Sequence, residues 1–195
     1  MSHAAYSCLV VASRDAVPAV LRDEDGLEER DPDVPLLYTS SRNAALSLAL
    51  GVLAGVRAPE ALALFVRPWT VNDQGRPQLA PGRHADALMG SALDAALAAT
   101  DGLIAAWRSQ PEIIAAALAP MLVDFMGVTE PIDELRDVAA SAPHASLEEA
   151  LGDFESRHEE QDLNLGALFA WLQAFAALLR TAQERDGAVV YVAWL

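Results

Sequence analysis

The chain has 195 residues, is 53% hydrophobic and carries a formal net charge of −15, which predicts a single acidic, well-packed domain. All 13 basic residues are arginine and lie scattered along the chain, so we expect no binding to nucleic acid or to an anionic membrane surface, which requires clustered positive charge. The single cysteine, Cys8, excludes an internal disulfide and a thiolate zinc cluster.

The sequence predicts neither a signal peptide nor a membrane span. No basic region precedes the first apolar run, and Arg14 and Asp15 cut that run short. The longest uncharged stretches, residues 44–56 and 163–179, are shorter than the roughly 18 apolar residues of a transmembrane helix. We therefore expect a cytoplasmic protein.

The first third of the chain predicts two strands, a charged loop and an apolar helix. Residues 6–13 and 36–40 are short apolar runs typical of buried strands, and a helical turn is expected after the first of them. Residues 22–35 hold nine charged residues and two prolines, which predicts a solvated acidic loop. Ser40 or Ser41 is placed to cap an apolar helix that ends near Gly55.

The middle of the chain predicts one further strand and two long helices. Residues 60–69 are an apolar run that we assign to a strand, and the Pro/Gly-rich residues 70–82 predict a hairpin or a surface excursion. Helices are expected over residues 84–108 and 111–126. Pro111 suits a first helical turn, whereas Pro120 is expected to kink or interrupt the second helix.

The last third has the strongest patterns. A short helix is expected over residues 129–141, then a linker over 142–146, and Ser146 with Glu149 forms a capping-box pattern for the next helix. Residues 165–179 are apolar on nearly every side, as in a fully buried helix. Gly187 is expected to end this helix in a left-handed conformation, and the apolar residues 188–195 predict a central strand covered on both faces.

These elements predict an α+β fold, a helix-rich mixed α/β single domain that spans residues 1–195. About five helices are expected to pack on a small sheet of three or four short strands. The strands come from N-terminal, middle and C-terminal segments of the chain.

Residues 153–162 hold five carboxylates, one arginine and one histidine, and are the first candidate for a chemical site. If one helix runs from Leu147 through Leu165, His158 falls within its apolar stripe, with Glu155 and Asp162 beside it. Glu-x-x-His is half of a di-iron carboxylate motif, but the chain has no second copy. We therefore favour a structural histidine held by carboxylates over a metal or acid–base site, and expect no bound metal.

A second candidate site is an anion site at a helix start, formed by Ser40, Ser41 and Arg42 after a predicted strand. The chain contains no Gly-x-Ser-x-Gly elbow, no Walker A loop and no Gly-x-Gly-x-x-Gly motif. We expect no cofactor, and we favour an ordinary helix cap over a ligand site for these three residues.

The acidic loop supplies the third candidate, a surface for a basic protein partner. Its candidate contact residues are Asp23, Glu24, Asp25, Glu28 and Glu29. By analogy of charge and size with bacterial immunity proteins and toxin inhibitors, we expect a non-catalytic binding or regulatory protein. The alternative is an enzyme with a small polar site around His158 or at the Ser40–Arg42 helix start. The high apolar content further predicts a homodimer.

Overall fold

The protein is described by a computed structural model, which covers residues 6–22, 36–39, 49, 52–53, 60–65, 69–71, 77–79, 82–122, 131–141, 143–158 and 164–194. The strands are β1 (Tyr6–Ala12), β2 (Leu36–Thr39), β3 (Trp69–Val71), β4 (Pro77–Leu79), β5 (Arg83–Met89) and β6 (Ala188–Trp194). The helices are α1 (Val17–Arg22), α2 (Ser91–Ser109), α3 (Pro111–Leu122), α4 (Pro131–Ala139), α5 (Leu147–His158) and α6 (Leu165–Glu184). The predicted α+β fold is confirmed, and the six α-helices named above are those whose bounds lie within the described ranges.

The main sheet is antiparallel, with β6 between β1 and β5 and the short β2 on the outer side of β1. Leu9 lies opposite Tyr191 in the β1–β6 pair, and Leu88 lies opposite Val189 in the β5–β6 pair. The central position predicted for the C-terminal strand is therefore confirmed. Within the segment predicted to form a hairpin or a surface excursion, β3 pairs with β4 in a second, two-stranded antiparallel sheet.

Both faces of the sheet are covered, which explains why β6 does not alternate apolar and polar residues. On one face, Val189 and Tyr191 belong to the large core shared with α2 and α6. On the other face, Val190 and Val192 pack with α1 in a smaller core that also contains Cys8. Buried strands covered on both sides read as continuous apolar runs.

Helix α1 is attached to the sheet through Arg83 on β5. The Arg83 guanidinium donates to the carbonyl oxygens of Val20, at 3.1 Å, and of Leu21. These carbonyls belong to the last turn of α1, where no helical N–H reaches them and where a positive charge is favourable. Arg83 therefore adds polar contacts to the packing that holds α1 over the smaller core.

Helix α6 is the centre of the larger core. By length and composition alone it could cross a membrane, but 83% of its apolar stretch is buried inside the protein, as in a core helix. The Phe65 ring packs against two aromatic residues of α6 and one of β6, with its centroid 5.2 Å from those of Trp171 and Phe175 and 5.3 Å from that of Tyr191. Edge-on pairs of this kind add to the stability gained by burial.

The end of α6 differs from the sequence prediction in one residue. Asp186, not Gly187, takes the left-handed conformation, with φ of 49°. The Gly187 N–H donates to Ala182 O at 2.8 Å and the Asp186 N–H to Gln183 O at 3.1 Å, the two bonds of a Schellman motif. Gly187 is required for a different reason, because a Cβ there would lie 2.7 Å from the carbonyl oxygen of Ala12.

Two predicted elements in the middle of the chain are wrong. Residues 60–65 form a turn and a 3-10 helix, Ala63–Phe65, where a strand was predicted. The helix predicted from residue 84 begins only at Ser91, because residues 83–89 form β5. The chain turns from β5 into α2 at Gly90, whose φ of 53° favours glycine.

Helical continuity also departs from prediction at two places. Helix α3 includes Pro120 and extends to Leu122, so the predicted interruption is absent from its described part, and the alternative of a kink stays a prediction. Asn164 has an extended conformation and caps α6 by accepting from the Ala167 N–H at 2.7 Å. Leu165 therefore starts a new helix, and the single helix assumed from Leu147 to Leu165 is wrong.

Of the predicted helix over residues 42–55, the structure describes only Ala49, Val52 and Leu53, which are helical. The acidic loop, apart from Arg22, lies outside the described residues.

Candidate functional site

A cleft of about 500 Å³ lies between α2 and α6 and is closed on one side by α5 and by the linker before it. Its floor is alanine-rich, with Ala105 on α2, Ala150 on α5 and Ala176 on α6. Its polar lining residues are Asp101, Arg108, Ser109, His144, Gln173 and Arg180. An apolar cleft with a few polar groups is the usual form of a small-molecule site.

The two long helices present matching faces to this cleft. Helix α2 contributes residues 101, 104, 105 and 108, and α6 contributes residues 173, 176, 177 and 180. This spacing places each set on one side of its helix. Asp101 pairs with Arg180, and Asp94 accepts from Gln183 Nε2 at 2.7 Å, so the helices run antiparallel. Arg108 lies seven residues after Asp101 on α2, and Gln173 lies seven residues before Arg180 on α6. The antiparallel packing therefore brings Arg108 and Gln173 to the same end of the helix pair.

Arg108 carries a positive charge that no carboxylate neutralises among the described residues. Its Nη2 lies 3.4 Å from Ser141 O, and its guanidinium carbon lies 5.7 Å from the centroid of the Phe169 ring. The other arginine of the cleft, Arg180, is paired with Asp101. Arg108 is therefore the cleft cation available to an anion.

Gln173 is a polar residue within the apolar helix α6, and only 8% of its surface is exposed. Its Oε1 is buried and has no hydrogen-bond partner within the described part of the chain. A buried carbonyl without a donor costs about 1–3 kcal/mol. Gln173 is also one of the residues that line the cleft.

His144, from the linker before α5, closes one side of the cleft. Its Nε2 lies 3.3 Å from Asp153 Oδ2, but without the geometry of a hydrogen bond. Asp153 Oδ1 accepts from Arg157 Nε at 2.9 Å. One carboxylate thus lies between an imidazole and a guanidinium, which positions His144 against α5.

The same linker leads into a well-capped helix. The predicted Ser146 cap is present, since its Oγ accepts from the Glu149 N–H at 3.1 Å. The Glu149 carboxylate accepts from the Ala145 N–H at 2.8 Å, one residue earlier than a capping box requires. These bonds fix the start of α5 and, with it, the wall of the cleft.

The residues predicted from sequence to form sites lie elsewhere. Glu155 is exposed on α5, and the backbone of His158 ends that helix, while the His158 side chain and Asp162 lie outside the described residues. Ser40, Ser41 and Arg42 also fall outside them. The acidic-loop residues Asp23, Glu24, Asp25, Glu28 and Glu29 do so too.

The described residues hold no group of three His, Cys, Asp or Glu side chains that could bind a metal ion. The hydroxyl in the cleft, Ser109 Oγ, donates to Ala105 O of its own helix at 2.7 Å. Among the described polar residues that line the cleft, no nucleophile is hydrogen-bonded to a base.

Sequence reasoning missed this cleft, although one signal was present. Gln173 is the single side chain with a terminal amide in the uncharged run of residues 165–179, and a lone amide in a buried helix indicates a partner across the interface. The other lining residues come from distant segments and show no local pattern.

Comparisons with protein-family models, with curated proteins and with solved structures give no match.

Proposed function

We propose that this chain is a non-catalytic binding protein of the cytoplasm that recognises a basic protein partner, as inhibitors of the immunity type do. The observation that carries the proposal is the excess of exposed carboxylates on α4 and α5, beyond the charge of the acidic loop. Both helices pack on α6, so they present these charges from a rigid support.

The charges on these two helices are strongly unbalanced. Arg136 and Arg157 are their only basic residues other than His158. The exposed acidic residues are Asp133, Glu134 and Asp137 on α4, and Glu148, Glu149 and Glu155 on α5.

Both arginines are already engaged within the protein. Arg136 pairs with Glu112 at 3.3 Å and with Asp133 at 3.5 Å, and Arg157 pairs with Asp153 at 2.9 Å. The surface potential therefore stays negative. Such a potential accelerates encounter with a positively charged partner and depends on salt.

A triple variant tests this proposal, with Glu134→Gln, Glu148→Gln and Glu155→Gln combined. All three side chains are exposed, so their neutralisation leaves folding nearly unchanged. The matched control removes three exposed charges elsewhere, by Asp15→Asn, Glu60→Gln and Glu184→Gln. Each protein is used to capture partners from its native cell extract, and association with the main captured protein is then measured at several salt concentrations.

We expect the triple variant to associate about tenfold more slowly than the wild type, with a weaker dependence on salt, and the control to behave like the wild type. Equal association of both variants with every captured protein would exclude α4 and α5 as the partner surface. A further variant that neutralises Glu24, Asp25, Glu28 and Glu29 tests the acidic loop in the same assay.

The homodimer expected from the apolar content stays a prediction. Most large apolar side chains in the described ranges are buried, and the large hydrophobics exposed there are Met89 and Ile113, at 42% and 39%. Light scattering at high micromolar concentration measures the mass directly. A mass of 20.8 kDa would show a monomer and contradict the prediction.

A further inference from the structure

We propose that the cleft between α2 and α6 binds a small carboxylic acid with an apolar body and a hydrogen-bond donor next to the carboxylate. This site is independent of the proposed basic partner. The proposal rests on the availability of Arg108, on the buried amide of Gln173, and on the apolar floor between the polar ends of the cleft.

The charge distribution favours a single carboxylate as the anionic group. The planar fork of a guanidinium matches a carboxylate in a bidentate arrangement. Stacking on Phe169 and the contact with Ser141 O hold the Arg108 fork in place. The net charge of −15 disfavours ligands with several negative charges, such as nucleotides.

The length of the floor favours an acid of six to eight carbons. The Asp101–Arg180 pair marks one end of the cleft, and Arg108 and Gln173 lie seven residues away along their helices. At 1.5 Å per residue this is a span of about 10 Å. The surface between them includes Ile104, Ala105, Ala176 and Ala177.

Gln173 accounts for the donor next to the carboxylate. The antiparallel register places Gln173 at the same end of the cleft as Arg108, and its buried Oε1 has no donor among the described residues. The terminal torsion of a glutamine side chain is broad, so rotation about it can turn the buried carbonyl toward a ligand in the cleft. A hydroxyl on the carbon next to the carboxylate supplies the hydrogen bond.

The test uses isothermal titration calorimetry of the full chain with four probes: octanoate, its neutral amide octanamide, 2-hydroxyoctanoate and inorganic phosphate. We expect octanoate to bind about tenfold more tightly than octanamide, which corresponds to about 1.4 kcal/mol, and 2-hydroxyoctanoate to bind more tightly than octanoate. Equal binding of octanoate and octanamide, or tighter binding of phosphate than of any carboxylate, overturns the proposal. So does an absence of binding by either acid at millimolar concentration.

Two variants assign the roles of the residues. Arg108→Gln should remove the preference for octanoate over octanamide, whereas Arg185→Gln, an equal charge change at an exposed arginine outside the cleft, should retain it. Gln173→Leu should bind octanoate and 2-hydroxyoctanoate equally. If Arg108→Gln retains the full preference, Arg108 does not hold the carboxylate; if Gln173→Leu still favours the hydroxy acid, the assignment of Gln173 is wrong.

Discussion

The two ends of the α2–α6 helix pair carry similar side chains but differ in how they are used. At one end, Asp94 pairs with Gln183 and Asp101 pairs with Arg180, so each polar group meets its counterpart on the other helix. At the other end, Arg108 has no carboxylate and the carbonyl of Gln173 has no donor within the described residues. We call these the paired end and the open end.

Because of this difference, the paired end contributes to the stability of the fold, whereas the open end keeps polar groups that can bind a ligand. Polar groups at the paired end satisfy one another and leave nothing for a ligand. Those at the open end are held in place by packing, and the free energy lost by leaving them unmatched is recoverable when a ligand binds. The cleft reaches from the Asp101–Arg180 pair to the open end, and its unmatched polar groups lie at the open end.

The largest effect is expected from removing the aromatic support of the open end. Phe169 is buried, its centroid lies 5.1 Å from that of Trp107, and its ring lies beneath the guanidinium of Arg108. Phe169→Ala should lower the free energy of unfolding by about 3–5 kcal/mol through loss of burial and a cavity. Urea unfolding measures this loss.

Phe154→Ala is the matched control for Phe169→Ala, since Phe154 is also fully buried but lies on α5. A similar loss of stability is expected there, while the affinity for octanoate should fall further in Phe169→Ala than in Phe154→Ala. Equal affinities in the two variants would show that Phe169 does not position Arg108.

The second-largest effect, an increase in the free energy of unfolding, is expected from a substitution of Gln173. Replacing it by leucine removes a buried carbonyl without a partner and retains a side chain of similar length, so the free energy of unfolding should rise by about 1 kcal/mol. At the paired end, Gln183→Leu should instead lower it slightly, because the exposed hydrogen bond to Asp94 is lost. Thermal unfolding of both variants measures the contrast, and a loss of stability in Gln173→Leu would contradict the distinction between the two ends.

The smallest effect is expected from the ion pair at the paired end. The Arg180 and Asp101 side chains are 50% and 45% exposed, so their attraction is largely screened by water. Arg180→Gln should lower the free energy of unfolding by less than about 1 kcal/mol, and this difference should shrink at high salt. A loss of several kcal/mol in urea unfolding would mean that the pair is required for helix packing.

Much of the fold followed from local patterns. The apolar runs of β1 and β6, the all-round apolar surface of α6, and the Ser146 cap of α5 are each signals that tertiary contacts reinforce. Elements of this kind are predictable because propensity, burial and capping agree. The central position of β6 also followed, since a strand without alternation must be covered on both faces.

Strand β5 did not follow from its sequence, for a physical reason. It lies at the edge of the described sheet and is mostly half-buried, so its residues show neither a continuous apolar run nor a clear alternation. Its alanines merge with those of α2, and only Gly90 separates the two elements. The 3-10 helix at Ala63–Phe65 was read as a strand because Leu64 and Phe65 are buried apolar residues, and short apolar runs do not distinguish the two.

The cleft was the least predictable feature. The cleft is lined by residues from three segments, 101–109, 143–150 and 173–180. These segments meet only because α2 and α6 pack antiparallel and α5 also packs against α6. The candidate residues chosen from the sequence instead lie in segments with many charged side chains. One of them is Glu155, which is exposed on α5. Dense charge marks surfaces in contact with water, whereas the open end is defined by isolated polar groups in apolar surroundings.

The short connection between α6 and β6 limits how the cleft can move. Three residues join the helix to the central strand, and the Gly187 backbone is packed against Ala12 of β1. The α6 wall is therefore fixed to the sheet, and any widening of the cleft to admit a ligand must come from its other walls, which include the 143–146 linker. Hydrogen exchange should accordingly be fast in that linker and slow throughout α6, and a bound acid should slow exchange at the linker first.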